Sequence, residues 1–220
     1  MPLTANALTT VATCEDELGI TADSETARLQ RLINEATGII EGYTGRTFHH
    51  DSAVSEDVVG DEGPYLFVTK TPINSITSVS YLGSALSTDD YELHDAYGGT
   101  IYALDGSWFR LGVNFNDISQ TMAYGMSRKV YTVAYDGGYF TPQQETNGDG
   151  TRTLPYDLER ACIMLVSYLR RNMGRDTSIV SESLLGASVS YANPGTGHWL
   201  NSTLPGAAFI LNNYKVPILR

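Results

Sequence analysis

Two long stretches with helical periodicity bracket a middle that carries only strand and turn signals, and that order leaves few folds open. The first stretch runs over residues 24–41 and closes on Tyr43-Thr44-Gly45-Arg46. Ala27, Leu29, Leu32, Ile33, Ala36, Ile39, Ile40 and Tyr43 recur at helical spacing on one broad face, and Arg28, Gln30, Arg31, Asn34, Glu35 and Glu41 take the other. The second opens at Leu154-Pro155 and runs to residue 172, with Leu158, Ala161, Cys162, Leu165, Val166, Tyr168 and Leu169 supplying its apolar face. The fold class expected is α+β: a helical-bundle core of two long helices plus short N- and C-terminal helices, with an antiparallel β-rich insertion. By this division residues 1–45 and 154–220 form the core and an extended C-terminal tail, and residues 46–153 form the insertion. No internal repeat is evident.

Local signals fill in the elements. Thr13 is placed to cap a short helix over 14–18, with Glu15, Asp16 and Glu17 at its positive end and Gly19 as its stop. Asp23 or Ser24 is the expected cap of the first long helix, and Gly42 or Gly45 its end. Arg31 and Arg28 lie within reach of Glu35 as weak solvated pairs. Strands are expected at 57–59, 65–70, 76–81, 91–94, 100–103 and 129–135. Ile76, Val79 and Tyr81 alternate with polar neighbours with one slip, which marks a bulge. In the last of these strands Tyr131, Val133 and Tyr135 share one face and Val130, Thr132 and Ala134 the other. Turn signals separate the runs, among them Gly98-Gly99 and Asp136-Gly137-Gly138. Residues 140–153 read as a polar loop. Pro155 takes the first helical position, Asp157 and Glu159 the first turn, and Arg170, Arg171 and Arg175 crowd the C-terminal end, with Gly174 as the stop. A strand at 187–191 and a last helix at 205–214 follow, then a tail that Pro217 keeps out of helix.

The charge balance narrows the function. The chain carries a net −11. Residues 1–62 carry −9, residues 63–154 carry −4, and residues 155–220 carry +2. Gripping DNA requires clustered Lys and Arg, which this chain lacks. An acidic wall past which DNA slides is not excluded in the same way. Cys14 and Cys162 are too few and too far apart for a disulfide framework, which favours a reduced, cytoplasmic setting. The start, Met1-Pro2-Leu3-Thr4, shows no secretion signal, and the longest apolar run, Cys162-Ile163-Met164-Leu165-Val166, is too short to span a membrane.

No reaction centre emerges. His49-His50-Asp51 is the densest set of potential metal ligands, but neighbouring strand residues face opposite ways and cannot easily share an ion. Glu145-Thr146-Asn147-Gly148-Asp149-Gly150 resembles the first half of a calcium loop, yet Tyr156 stands where the bidentate Glu is required. There is no nucleophile elbow, no phosphate-binding loop, and no spacing that selects a carboxylate pair. Neither a catalytic residue, a cofactor nor a metal site is therefore assigned. The fourteen tyrosines concentrate in candidate strands, where sheet packing accounts for them and a sugar-binding platform is the rival reading.

Four stretches in this order carry a family resemblance. They are the first helix ending in Thr44-Gly45-Arg46-Thr47-Phe48; Lys70-Thr71-Pro72-Ile73-Asn74-Ser75-Ile76-Thr77-Ser78-Val79 followed by Asp90-Tyr91-Glu92-Leu93; Val133-Ala134-Tyr135-Asp136-Gly137-Gly138-Tyr139; and Leu154-Pro155-Tyr156-Asp157-Leu158-Glu159-Arg160-Ala161. Together they span most of residues 24–172. The chain resembles the head–tail connector proteins (adaptor or head-completion proteins) of tailed bacteriophages. The resemblance implies a structural, non-enzymatic virion protein at the head–tail interface, assembled in the host cytoplasm. It implies a homo-oligomeric ring of about twelve copies beneath the portal protein, in contact with stopper or tail proteins, with double-stranded DNA passing transiently and without specific binding. It also implies a C-terminal segment that reaches a neighbouring subunit or the portal. The residues here suit that role: Tyr214, Lys215, Val216, Pro217, Ile218, Leu219 and Arg220 end the chain in apolar side chains that a monomer has little reason to display. Two rivals stand beside this reading: a stopper or tail-completion protein further along the axis, and a carbohydrate-binding module built on the tyrosine-rich middle.

Overall fold

This structure, a computed structural model, describes residues 2–60, 63–81, 83–104, 106, 108, 130–173, 181–184, 187–190 and 199–216. It is an α+β protein with antiparallel sheets. The chain divides into two compact units, Met1–His49 with Phe140–Arg220, and His50–Tyr139.

The first unit holds helices α1 (Val11–Leu18), α2 (Thr26–Thr44), α3 (Pro142–Asn147), α4 (Tyr156–Asn172), α5 (Trp199–Thr203) and α6 (Pro205–Asn212). It also holds a small antiparallel hairpin of Ser181–Leu184 with Ala187–Ser190; the sequence reading foresaw only its second strand. Helix α1 begins three residues earlier than its expected start, because the Thr10 hydroxyl accepts the Thr13 N–H at 3.2 Å and does the capping. Glu15 is then mid-helix and buried, and its carboxylate accepts the Asp23 N–H at 3.0 Å. Asp23 adopts a left-handed backbone (φ 61°), and the Ser24 hydroxyl donates to the Thr21 carbonyl. Neither residue is free to cap, so α2 starts at Thr26. It ends as expected at Gly45, whose left-handed conformation (φ 74°) returns its N–H to the Glu41 carbonyl.

Helix α2 buries Leu29, Leu32, Ile33, Ala36, Thr37 and Ile40; Ala27, expected on that face, is exposed at the helix start. Helix α4 packs on it through Leu158, Ala161, Cys162, Leu165 and Val166. Pro155, expected at the first helical position, stands one residue before it and makes no side-chain cap bond; Asp157 and Glu159 occupy the first turn of α4, and Arg170 and Arg171 its last. Gly174 and Arg175 lie outside the described residues. At one end of the pair, Glu25 at the cap of α2 takes two hydrogen bonds from Arg170 of α4, both at 3.0 Å. Glu25 is also 3.4 Å from Arg28, so the pairing expected between Arg28 and Glu35 gives way to one a turn nearer. The N-terminal residues, read as loop, are strapped along α2. Thr4 donates to Asn34, Asn6 to Glu41 and the Leu8 N–H to Thr37, while Ala7, Leu8 and Thr9 are completely buried. Residues 140–153 are not a plain loop: Thr141 and Gln144 form a reciprocal capping box and Pro142 opens α3.

The second unit holds β1 (Asp51–Val59), β2 (Tyr65–Phe67), β3 (Ile73–Tyr81), β4 (Ser84–Ala85), β5 (Tyr91–Asp95), β6 (Thr100–Ala103) and β7 (Val130–Gly137). They form a four-stranded sheet ordered β1-β7-β3-β4 and a three-stranded sheet ordered β2-β6-β5. Alternation along β7 follows the sequence: Tyr131, Val133 and Tyr135 are buried, Thr132 and Ala134 half-buried. The slip in β3 is a register shift between Ile76 and Ser78 against β7. Leu66, Ile101, Val79 and Val133 fill the space between the sheets with Trp108, whose indole N–H donates to the Ile101 carbonyl at 3.0 Å. In the β5–β6 turn Gly99 has φ 68°, and a Cβ there would lie 2.8 Å from the Val68 carbonyl oxygen, so glycine is required.

Candidate functional site

The last described residues of the helical unit, 214–216, are anchored on its helix ends. Tyr214 donates its hydroxyl to Asp157 at 2.7 Å and meets Phe48 edge-on at 6.1 Å. The Val216 N–H donates to the Thr44 carbonyl at 3.0 Å, and the Lys215 ammonium stands 4.8 Å above the Tyr43 ring. Tyr43 in turn bonds Asn201 and Asn212, so the ends of α2, α5 and α6 form one platform under the tail. Val216 remains 43% exposed on it. Of the expected docking residues, Tyr214, Lys215 and Val216 are thus brought together on one end of the helices; Pro217, Ile218, Leu219 and Arg220 lie outside the described residues.

Beside this platform, α1, α4 and the start of α6 enclose an open groove of about 730 Å³. Leu18, Ile163, Met164 and Leu204 give it apolar walls, and Glu17, Asp157, Arg160 and Arg171 give it a charged rim. Sequence periodicity misses the groove because Ile163 and Met164 sit at the edge of the buried face, half-buried and not enclosed. Its floor includes Glu159, a buried carboxylate held by the Thr9 hydroxyl at 2.9 Å and the Arg152 guanidinium at 2.6 Å. Arg152 also lies 3.9 Å over the Tyr156 ring. Two buried thiols pack near this carboxylate. Burial pushes Cys14 up to about 12, with the Thr9 hydroxyl opposing and Glu159 adding to the shift. Burial likewise drives Cys162 upward, with Cys14 contributing. Both are free thiols held neutral and are unsuited to nucleophilic work.

The other sequence candidates are dispersed. His50 bonds Asp136 at 2.7 Å, and Asp136 also accepts from Asn74 at 3.0 Å. His94 joins Tyr65 and Tyr102 in a cluster of rings on β5, β2 and β6. His198 is outside the described residues, among which no group of three His, Cys, Asp or Glu converges as metal ligands. Glu145 belongs to α3, where its carboxylate accepts the Arg152 N–H at 3.3 Å, so the calcium-loop pattern is spent on a helix and its Gly148 cap. No helix among the described residues is long and apolar enough to cross a membrane.

Comparison with solved structures places this fold among particle necks. The chain is similar to chains in the neck of an empty GTA particle computed with C6 symmetry (15% identity, TM-score 0.57, covering 100% of this chain and 96% of that one). It is similar to chains in the neck of the native GTA particle computed with C12 symmetry (15%, 0.54, 100% and 94%). The virion of the native gene transfer agent particle gives a third match (15%, 0.56, 100% and 95%). No curated protein matches the sequence. The family model described as head completion protein matches residues 7–215, across both units and up to the anchored Lys215. By that match the chain belongs to the head completion protein family.

Proposed function

We propose that this protein is a structural head–tail connector that forms a ring of about twelve copies beneath the portal and leaves an axial passage for double-stranded DNA. It acts at the head–tail interface of the virion, after assembly in the host cytoplasm, and performs no catalysis. The family match over residues 7–215 carries this reading, because it spans nearly the whole chain and both units. The helical unit is the bundle that holds neighbours in register, and the β unit is its elaboration. The tail, Tyr214 to Arg220, is the portal- or neighbour-binding segment. Its first three residues rest on the α2–α5–α6 platform with Val216 exposed, which suits a segment whose remaining anchors are offered to a partner. The net charge of −11 suits a wall that does not retain phosphate backbones.

Electron microscopy of the purified chain, alone and with its portal, tests the ring. Rings and cross-links to portal subunits are expected; cross-links exclusively to tail proteins would favour a stopper or tail-completion role. Deletion of residues 215–220 should leave the thermal unfolding midpoint intact and weaken portal binding. Undiminished binding by the truncated chain would overturn the role given to the tail.

A further inference from the structure

We propose that the outer face of the β2-β6-β5 sheet is a docking site for a cationic protein partner, one that presents arginine side chains to a patch of aromatic rings. Along these strands Leu66, Ile101, Ala103 and Tyr91 turn into the core. The residues alternating with them face outward. On that outer face Tyr65 stands directly opposite Tyr102, with ring centroids 5.5 Å apart. His94 lies 5.2 Å from Tyr65 and 6.1 Å from Tyr102. Phe67, two residues along the same face, is 55% exposed. Glu92 pairs in register with Tyr102 and is exposed beside it.

Cross-strand packing explains why Tyr65 meets Tyr102. It does not explain an exposed Phe67 at the edge of the same rings, and exposed aromatic patches mark interaction surfaces. The occupant follows from charge. Residues 50–139 carry 12 acidic and 4 basic side chains, a balance of −8 out of the chain's −11. Among the described residues of this unit the one cation is Lys70, which is taken up by Asp51 at 3.6 Å. A second copy of the same face, or a phosphate backbone, is repelled here. A guanidinium is attracted by the field, stacks on Tyr or Phe faces and pairs with Glu92. The rings are tilted to one another by 40–52°, so they form no single flat shelf along which a pyranose chain would lie.

The test uses the full-length chain and a fluorescent hexa-arginine peptide at about 0.15 M salt, where long-range attraction is screened. The triple variant Tyr65→Thr/Phe67→Thr/Tyr102→Thr keeps the net charge and suits a strand. It should lose about tenfold in affinity, and Glu92→Gln several-fold. Asp149→Asn, an equal change of charge in the helical unit, should bind like the wild type. In parallel, a photoreactive arginine peptide on the wild-type chain should label residues 65–67 and 92–102, which keeps the test open if the triple variant unfolds. Equal binding by the folded triple variant, or labelling elsewhere, overturns the proposal. So does tighter binding of neutral maltohexaose at these rings, which makes the face a glycan site, or loss of self-association in the triple variant, which makes it a contact between copies.

Discussion

Glu159 is one residue whose role could not be read from its neighbours in sequence. Its position in the first turn of α4 reads as a dipole-favoured, solvated acid. The fold instead buries it and supplies Thr9, 150 residues away, and Arg152 as partners. Removing one partner of a buried ion pair leaves the other charge uncompensated. Arg152→Ala should therefore destabilise the helical unit by about 3 kcal/mol, read as a drop in the urea midpoint at unchanged slope. The cysteines are the opposite case, since a buried thiol in an apolar run was the expectation for Cys162. Burial raises the Cys14 thiol from its ordinary value of 9.0 to about 12 in the folded chain. Stability from this group is complete below about pH 9 and is lost as pH rises above it. At neutral pH a thiol reagent should label neither cysteine until denaturant opens the fold; prompt labelling of the native chain would contradict the burial of both.

Among the elements, the sequence revealed those with strong periodicity and missed those fixed by distant contacts. Helices α2 and α4, the alternation in β7 and the bulge in β3 were all legible from spacing. The N-terminal strap was not, because Asn34 and Glu41 look like solvent-facing polar residues until Thr4 and Asn6 are laid against them. Helix α3 did leave a signal, the sequence Thr141-Pro142-Gln143-Gln144, but its glycine- and asparagine-rich surroundings outweighed a helix of six residues. Two predictions belong at this scale. The bond from Arg170 holds the Glu25 carboxyl below the usual carboxylate range. A depressed carboxylate contributes stability that is present above the unfolded value and is lost as pH falls through the folded one. Glu25→Gln should therefore lower the melting temperature at pH 7, by an amount that shrinks as pH falls below the ordinary carboxylate range. Gly42 lies inside α2, and a Cβ there meets nothing within 4 Å. Gly42→Ala should stabilise the isolated chain by about 0.5–1 kcal/mol, measurable by thermal unfolding.

At the scale of the whole molecule, the charge that the proposed role would use to keep DNA from sticking would also oppose self-assembly. Each copy carries −11, so the proposed ring of about twelve would gather well over a hundred negative charges. The excess is unevenly spread: −8 belongs to residues 50–139, while the helical unit holds 10 of the 14 basic residues and has a balance of −3. If the helical units make the ring contacts, close approach joins the less charged parts. Repulsion of that kind is screened by salt, whose Debye length shortens from about 30 Å at 0.01 M to about 8 Å at 0.15 M. Apolar contacts through exposed side chains such as Phe209, 73% exposed, are not weakened by the same change. Raising salt from about 0.01 to 0.15 M should therefore shift the purified chain from monomer toward ring in sedimentation velocity. If rings instead dissociate as salt rises, the subunits are held by ion pairs across the interface, and the exposed arginines of α2 and α4, Arg28, Arg31, Arg160 and Arg171, become the residues to exchange first.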